Sequence, residues 1–432
     1  MKKLWLLFGA AAAALAGLHG SYLLPLDHPA IQYNKAPVDD AVTRLQKRLD
    51  TGKVKLQFED GFGYLRSVLQ AMGVLQSSQM LVFSKTSFQA PLISPRTPRA
   101  LYFKDDLAVG FVRTGEVLEF AALDPKQGVV FYTLNQEPSA QPHFDRRDTC
   151  LQCHQSGATL GIVGLMVRSI YPDSTGMPLF QAGTFITDHR SPLKERWGGW
   201  YVTGTTGSQV HMGNAVVRDR NQPDKLETGD AQNLTDLRSH IDTGAYLTPD
   251  SDIVALMTLE HQTQMVNYII RVGWETRMAL HDNAAMNEAL GRPAGTVSES
   301  TSHRINSAVE EMLEYMLFTE ETTLTSPIKG TSGFTEEFAR EGPRDSHGRS
   351  LRDFDLKTRM FRYPCSYMIY SEAFDAMPAA AKDRLYRRLF DVLTGKDSSK
   401  AFARLTAADR KAILEILRET KKGLPDYWRA DS

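Results

Sequence analysis

The pattern of apolar and polar positions changes character several times along the chain. Residues 38–49 and 62–75 carry apolar side chains at helical spacing, which predicts two short amphipathic helices. A stretch with Pro91, Pro95 and Pro98, and with Ser94 and Thr97 between them, reads as a rigid connector. Four short runs rich in β-branched and aromatic residues follow, at 101–103, 107–112, 117–123 and 129–134. Polar or glycine-containing breaks separate them, so the segment predicts an antiparallel meander of three or four strands. Residues 180–186 and 197–203 again look like strands or extended loops, and 218–233 is polar and loop-like.

The second half reads as helical. Ser251 and Asp252 offer caps for a strong helix from 253 to 271 or beyond. Residues 292–302, with Pro293, Gly295 and several hydroxyl side chains, form a linker candidate. Pro378 suits a helix start, Leu385, Leu389 and Val392 its apolar face, and Gly395 its stop. Thr406 with Asp409 resembles a capping box before a last helix whose stripe is Ile413, Ile416 and Leu417. The expected fold class is therefore α+β. A mixed region with a β-meander spans 21–140, a central region 141–290, and a mainly helical region 291–432.

Composition narrows the function classes. The chain has 432 residues, 42% of them hydrophobic, and a formal net charge of −1. It has no basic field for nucleic acid or an anionic membrane. At its start, Lys2 and Lys3 precede an apolar run at 4–18 in which Ala14-Leu15-Ala16 offers a small-x-small cleavage pattern. Residues 1–20 thus read as a signal peptide, or as an uncleaved N-terminal tether. The expected location is periplasmic or extracellular.

Three cysteines are present, Cys150, Cys153 and Cys365, an odd set for a disulfide framework in an exported protein. Two of them fall in Cys150-Leu151-Gln152-Cys153-His154. Cys-x-x-Cys-His is the attachment pattern of c-type haem. Two thiols one turn apart span the vinyl edge of a porphyrin, and the following imidazole is carried beneath the iron. Thr149 is placed to cap that turn. Competing readings are half a zinc site completed by Cys365, a thioredoxin-type redox pair, and chance. No second cysteine knuckle occurs, and the residues before the motif are polar rather than strand-like. Export favours haem, which is attached outside the cytoplasmic membrane.

On this pentapeptide and its exported setting the chain resembles the bacterial c-type cytochromes. The resemblance implies one covalent haem c on Cys150 and Cys153, with His154 as an axial ligand. It covers the motif only, because the strands on either side depart from the small helical cytochromes. In those proteins the second axial residue comes from a downstream loop. The matching candidates here are Met212 and, alternatively, His211, within a segment containing Gly204, Gly207 and Gly213. His143, Arg146 and Arg147 precede the motif and are candidate propionate partners. Met257, His261 and Met265 share a helix face that suits either core packing or a haem edge, and residues 196–201 form an aromatic patch. The expected role is one-electron transfer with a redox partner protein. Alternatives are an enzyme whose open sixth position takes peroxide or a small nitrogen compound, and a sensor or binding module.

Overall fold

Six strands, formed from segments whose apolar residues alternate, pair in simple sequence order. They are β1 (Met80–Val82), β2 (Arg99–Lys104), β3 (Leu107–Phe111), β4 (Val117–Asp124), β5 (Gly128–Asn135) and β6 (Phe144–Arg146). The structure is a computed structural model that describes residues 23–429, so the expected export signal lies outside the described residues. Every pairing in the sheet is antiparallel, and β2 to β5 reproduce the expected meander nearly residue for residue. The two edge strands were not expected, since three residues carry too little alternation to read.

Alternation divides the sheet into two faces. Tyr102, Val109, Phe120 and Tyr132 point to one side, where they pack with α1 (Ala41–Asp50) and α2 (Leu65–Met72). A capping box of Asp40 with Thr43 starts α1. Phe103, Leu123, Val129 and Phe131 point to the other side and join a second apolar cluster around the long helix α4 (Ile253–Ala289). A short turn of helix, α3 (Leu151–His154), follows β6 directly. Next comes a two-stranded ribbon of β7 (Val167–Ile170) and β8 (Thr184–Thr187). Residues 197–203 run extended, with only single bridges from Trp200 to Val82 and from Thr203 to Asp252.

Asp252 starts α4, its carboxylate accepting from the amides of Val254 at 2.7 Å and Ala255 at 3.3 Å. Over its first five turns α4 is buried on nearly every side, as befits a helix apolar all round. A turn through 290–298 joins it to α5 (Glu299–Met316), which packs back against it. The candidate linker there is thus a helix connection, with Ser298 capping α5 and His303 on that helix rather than in a loop. Further on lie α6 (Phe334–Arg340), α7 (Glu372–Asp375), α8 (Ala379–Leu393) and α9 (Ala407–Thr420). Pro378 precedes α8, Gly395 beyond it has φ +76°, and Thr406 and Asp409 complete the capping box of α9. The fold is mixed, with the sheet in the N-terminal half and helices toward the C-terminus. Among the described residues no helix is long and apolar enough to cross a membrane.

Candidate functional site

The sheet edge positions the cysteine segment. Arg147, just after β6, donates from Nε to Thr133 Oγ1 on β5 at 2.8 Å. Arg146 donates to the Tyr33 carbonyl at 3.1 Å and lies over the Tyr33 ring. The backbone then tightens into a 3₁₀ turn, Asp148–Cys150, that runs into α3. Thr149 lies inside that turn and makes no side-chain cap, contrary to expectation, because the helical conformation begins one residue earlier. Cys150 and Cys153 stand three apart on continuous helical backbone and so share one side. Both thiols are free; that of Cys150 is half-buried against the core, where burial raises its pKa, and that of Cys153 is exposed.

His154 is held by the loop that follows it. Residues 155–163 double back, with Gln155 bridging Val163 and the Gly164 amide donating to the His154 carbonyl at 2.9 Å. This return places the Gly164 carbonyl 2.9 Å from His154 Nδ1. Helix α4 braces the loop through Asn267, whose Oδ1 accepts from the Leu165 amide at 2.9 Å and whose Nδ2 donates to the Leu165 carbonyl at 2.7 Å. Position 164 has room only for glycine, since a Cβ there would lie 2.2 Å from Asn267 Oδ1.

The tautomer follows from these contacts. A carbonyl only accepts, so His154 Nδ1 carries the proton and donates it to Gly164. Burial lowers the pKa of the imidazole below its ordinary value and keeps the ring neutral. Its lone pair is therefore on Nε2, which has no hydrogen-bond partner among the described residues. This is the state of a metal-ligating histidine whose orientation is set by its second nitrogen.

Around His154, Phe131 lies 4.6 Å away between ring centroids. The same face of the sheet carries the half-buried Leu101, Ala108 and Ala121, and Arg99, which pairs with Glu119 at 2.8 Å. A cleft of about 300 Å³ opens to solvent between Ala108, Ala121 and Val129 on the sheet and Leu165 and Val266 opposite. Two thiols, a neutral imidazole with a free lone pair, small apolar side chains and nearby guanidinium groups suit a porphyrin with its iron and carboxylates. Nothing comparable gathers for zinc, because Cys365 is fully buried far along the chain, between α6 and α7.

Several other expected residues lie apart from this site. Met212 is buried, its sulfur accepting from Ser169 Oγ at 3.6 Å. His211 is also buried, edge-on to Trp197, with Nδ1 accepting from the Gly213 amide at 3.1 Å. No hydrogen bond or ring contact among the described residues joins either to His154. Met257 and Met265 are core. His261 has both ring nitrogens engaged, Nδ1 with His189 Nδ1 and Nε2 with Ser366 Oγ, each at 2.8 Å. A fully buried histidine pair stacked on Tyr315 and Phe318 thus replaces the expected iron-facing surface. His189 is the partner that sequence reading missed, because nothing local links positions so far apart. His143 is exposed before β6, and Trp197 is a buried core side chain.

No family model, curated protein or solved structure matches the chain.

Proposed function

We propose that this chain is an exported monohaem c-type cytochrome. Cys150 and Cys153 each add their thiol across one vinyl group of the porphyrin, and His154 Nε2 binds the iron. The bond between His154 Nδ1 and the Gly164 carbonyl is the observation that most supports this reading. It keeps a proton on the nitrogen facing away from the motif and makes Nε2 the more basic ligand. When bound, the iron supplies one-electron chemistry, and a partner protein exchanges the electron. The exposed Cys153 supports exchange through an accessible haem edge.

Met212, with His211 as alternative, remains the proposed second axial residue from the sequence pattern. Both side chains are already engaged, at Ser169 and at Gly213. Those bonds favour a second reading, in which the position opposite His154 is open and binds peroxide or a small nitrogen compound.

The test is purification from a host that matures c-type cytochromes. Haem should survive acid–acetone extraction and denaturing gels in the wild type. It should be lost in Cys150→Ser/Cys153→Ser and retained in Cys365→Ser. Haem that extracts, or zinc in its place, overturns the proposal. A low-spin spectrum indifferent to carbon monoxide supports the carrier, and a high-spin one that shifts supports the open site.

A further inference from the structure

Two arginines beside the motif have donors that no protein group uses. The Nε atoms of Arg99 and Arg168 are both buried and both without a hydrogen-bond partner. A buried guanidinium donor left unpaired is costly, so it points to a missing acceptor. The two residues, together with Glu119, are the charged groups that act on the His154 ring. Arg168 follows the Gly164 carbonyl by four residues, on β7. Arg99 and Glu119 lean over Gly110 on the sheet face that His154 packs against, where a Cβ would meet Arg99 at 2.9 Å.

Each arginine also has an exposed apolar neighbour. Ile186 lies directly opposite Arg168 in the β7–β8 register and is 40% exposed. Phe88 is 65% exposed and sits between Ser87 and Gln89, both of which hydrogen-bond to Glu119. Unspent cationic donors next to bare apolar side chains fit a flat ligand with an apolar body and an anionic edge. The arginines expected from sequence fit less well, since Arg147 Nε is spent on Thr133 and Arg146 on Tyr33 and Asp148.

We propose that Arg168 and Arg99 bind the propionate carboxylates of the haem held by Cys150 and Cys153, with Ile186 and Phe88 covering its apolar margin. This assignment rests on the haem reading of the same site. Arg168 has no carboxylate partner among the described residues and serves as the primary anchor. Arg99 shares its charge with Glu119 and is the secondary one.

The experiment uses matured holoprotein of the wild type, Arg168→Gln, Arg168→Lys and Arg99→Gln. Resonance Raman spectroscopy reads the propionate bending mode, and redox titration reads the midpoint potential. Arg168→Gln should shift the propionate band and lower the potential, because losing a cation favours the more oxidised iron. Arg168→Lys should restore much of the potential but not the band, since a point charge replaces a planar fork. Arg99→Gln should act in the same direction and more weakly. Attached haem with band and potential unchanged in both glutamine variants overturns this proposal alone. A wild type that attaches no haem overturns the haem reading and this proposal with it. A glutamine variant that fails to fold is replaced by Ile186→Asp, which should lower the potential through the same carboxylates; no change there counts against the proposal.

Discussion

Asn267, in the middle of α4, closes a two-point amide clamp on the backbone of Leu165, next to the glycine whose carbonyl orients His154. Through it the most buried helix of the molecule determines which way one half-buried imidazole faces. Asn267→Ala leaves the Leu165 amide and carbonyl without partners and should cost roughly 2–4 kcal/mol. Urea denaturation measures that loss. In matured protein the same variant should broaden or shift the Soret band. A spectrum and stability both at the wild-type level would mean the clamp is dispensable.

A second expectation concerns the pair of Arg196 and Glu260, 3.0 Å apart and both buried. Arg196 also donates to the carbonyls of His189 and Ser191. Burial pushes the Glu260 carboxyl up to about 7 even with Arg196 beside it. Arg196→Met strands that carboxylate and should cost about 3–5 kcal/mol at neutral pH. The glutamate is then protonated in the folded protein, so the defect shrinks as the pH falls toward the unfolded-state value. Adding Glu260→Gln should recover part of the loss at neutral pH, measured as a double-mutant cycle.

The pH profile of stability isolates His211. Burial pushes its pKa down to about 4, and its Nδ1 already accepts the Gly213 amide proton. The unfolded chain therefore takes up a proton that the folded chain refuses. Stability from this residue is intact above about 6.5 and falls as the pH drops toward 4, by about 1.4 kcal/mol per unit. His211→Asn should be less stable at pH 7 but should have a flatter profile between pH 6.5 and 4. Equal slopes in the two proteins would show that another group carries the effect.

For the second axial position, Met212→Ala and His211→Ala divide the two readings of the site. Loss of the weak near-infrared sulfur–iron band in Met212→Ala assigns the sulfur, and a change of spin state in His211→Ala assigns the imidazole. If both variants keep the parent spectrum, the position is open and ligand chemistry is the stronger reading. Met212→Ala should in either case cost about 2–5 kcal/mol as a buried large-to-small change, so spectra must be taken well below its melting temperature.

Much of the architecture was legible in local pattern. The strands from β2 to β5 alternate because one side faces α1 and α2 and the other faces α4, and turn residues separate them cleanly. The caps at Asp252 and Thr406 could be placed because side chain and backbone lie within three residues of each other. The two cysteines and the histidine were likewise set by spacing alone. Tertiary packing decided what spacing cannot carry. The full length of α4 was hidden because Glu260, His261 and Asn267, polar in sequence, are buried against partners from elsewhere. The Gly164 carbonyl that fixes the His154 tautomer comes from a loop closed by a helix about a hundred residues later, and the His189–His261 contact spans 72 positions. Short-range pattern records which face a residue turns inward; which group it meets there depends on how distant segments fill the same interior.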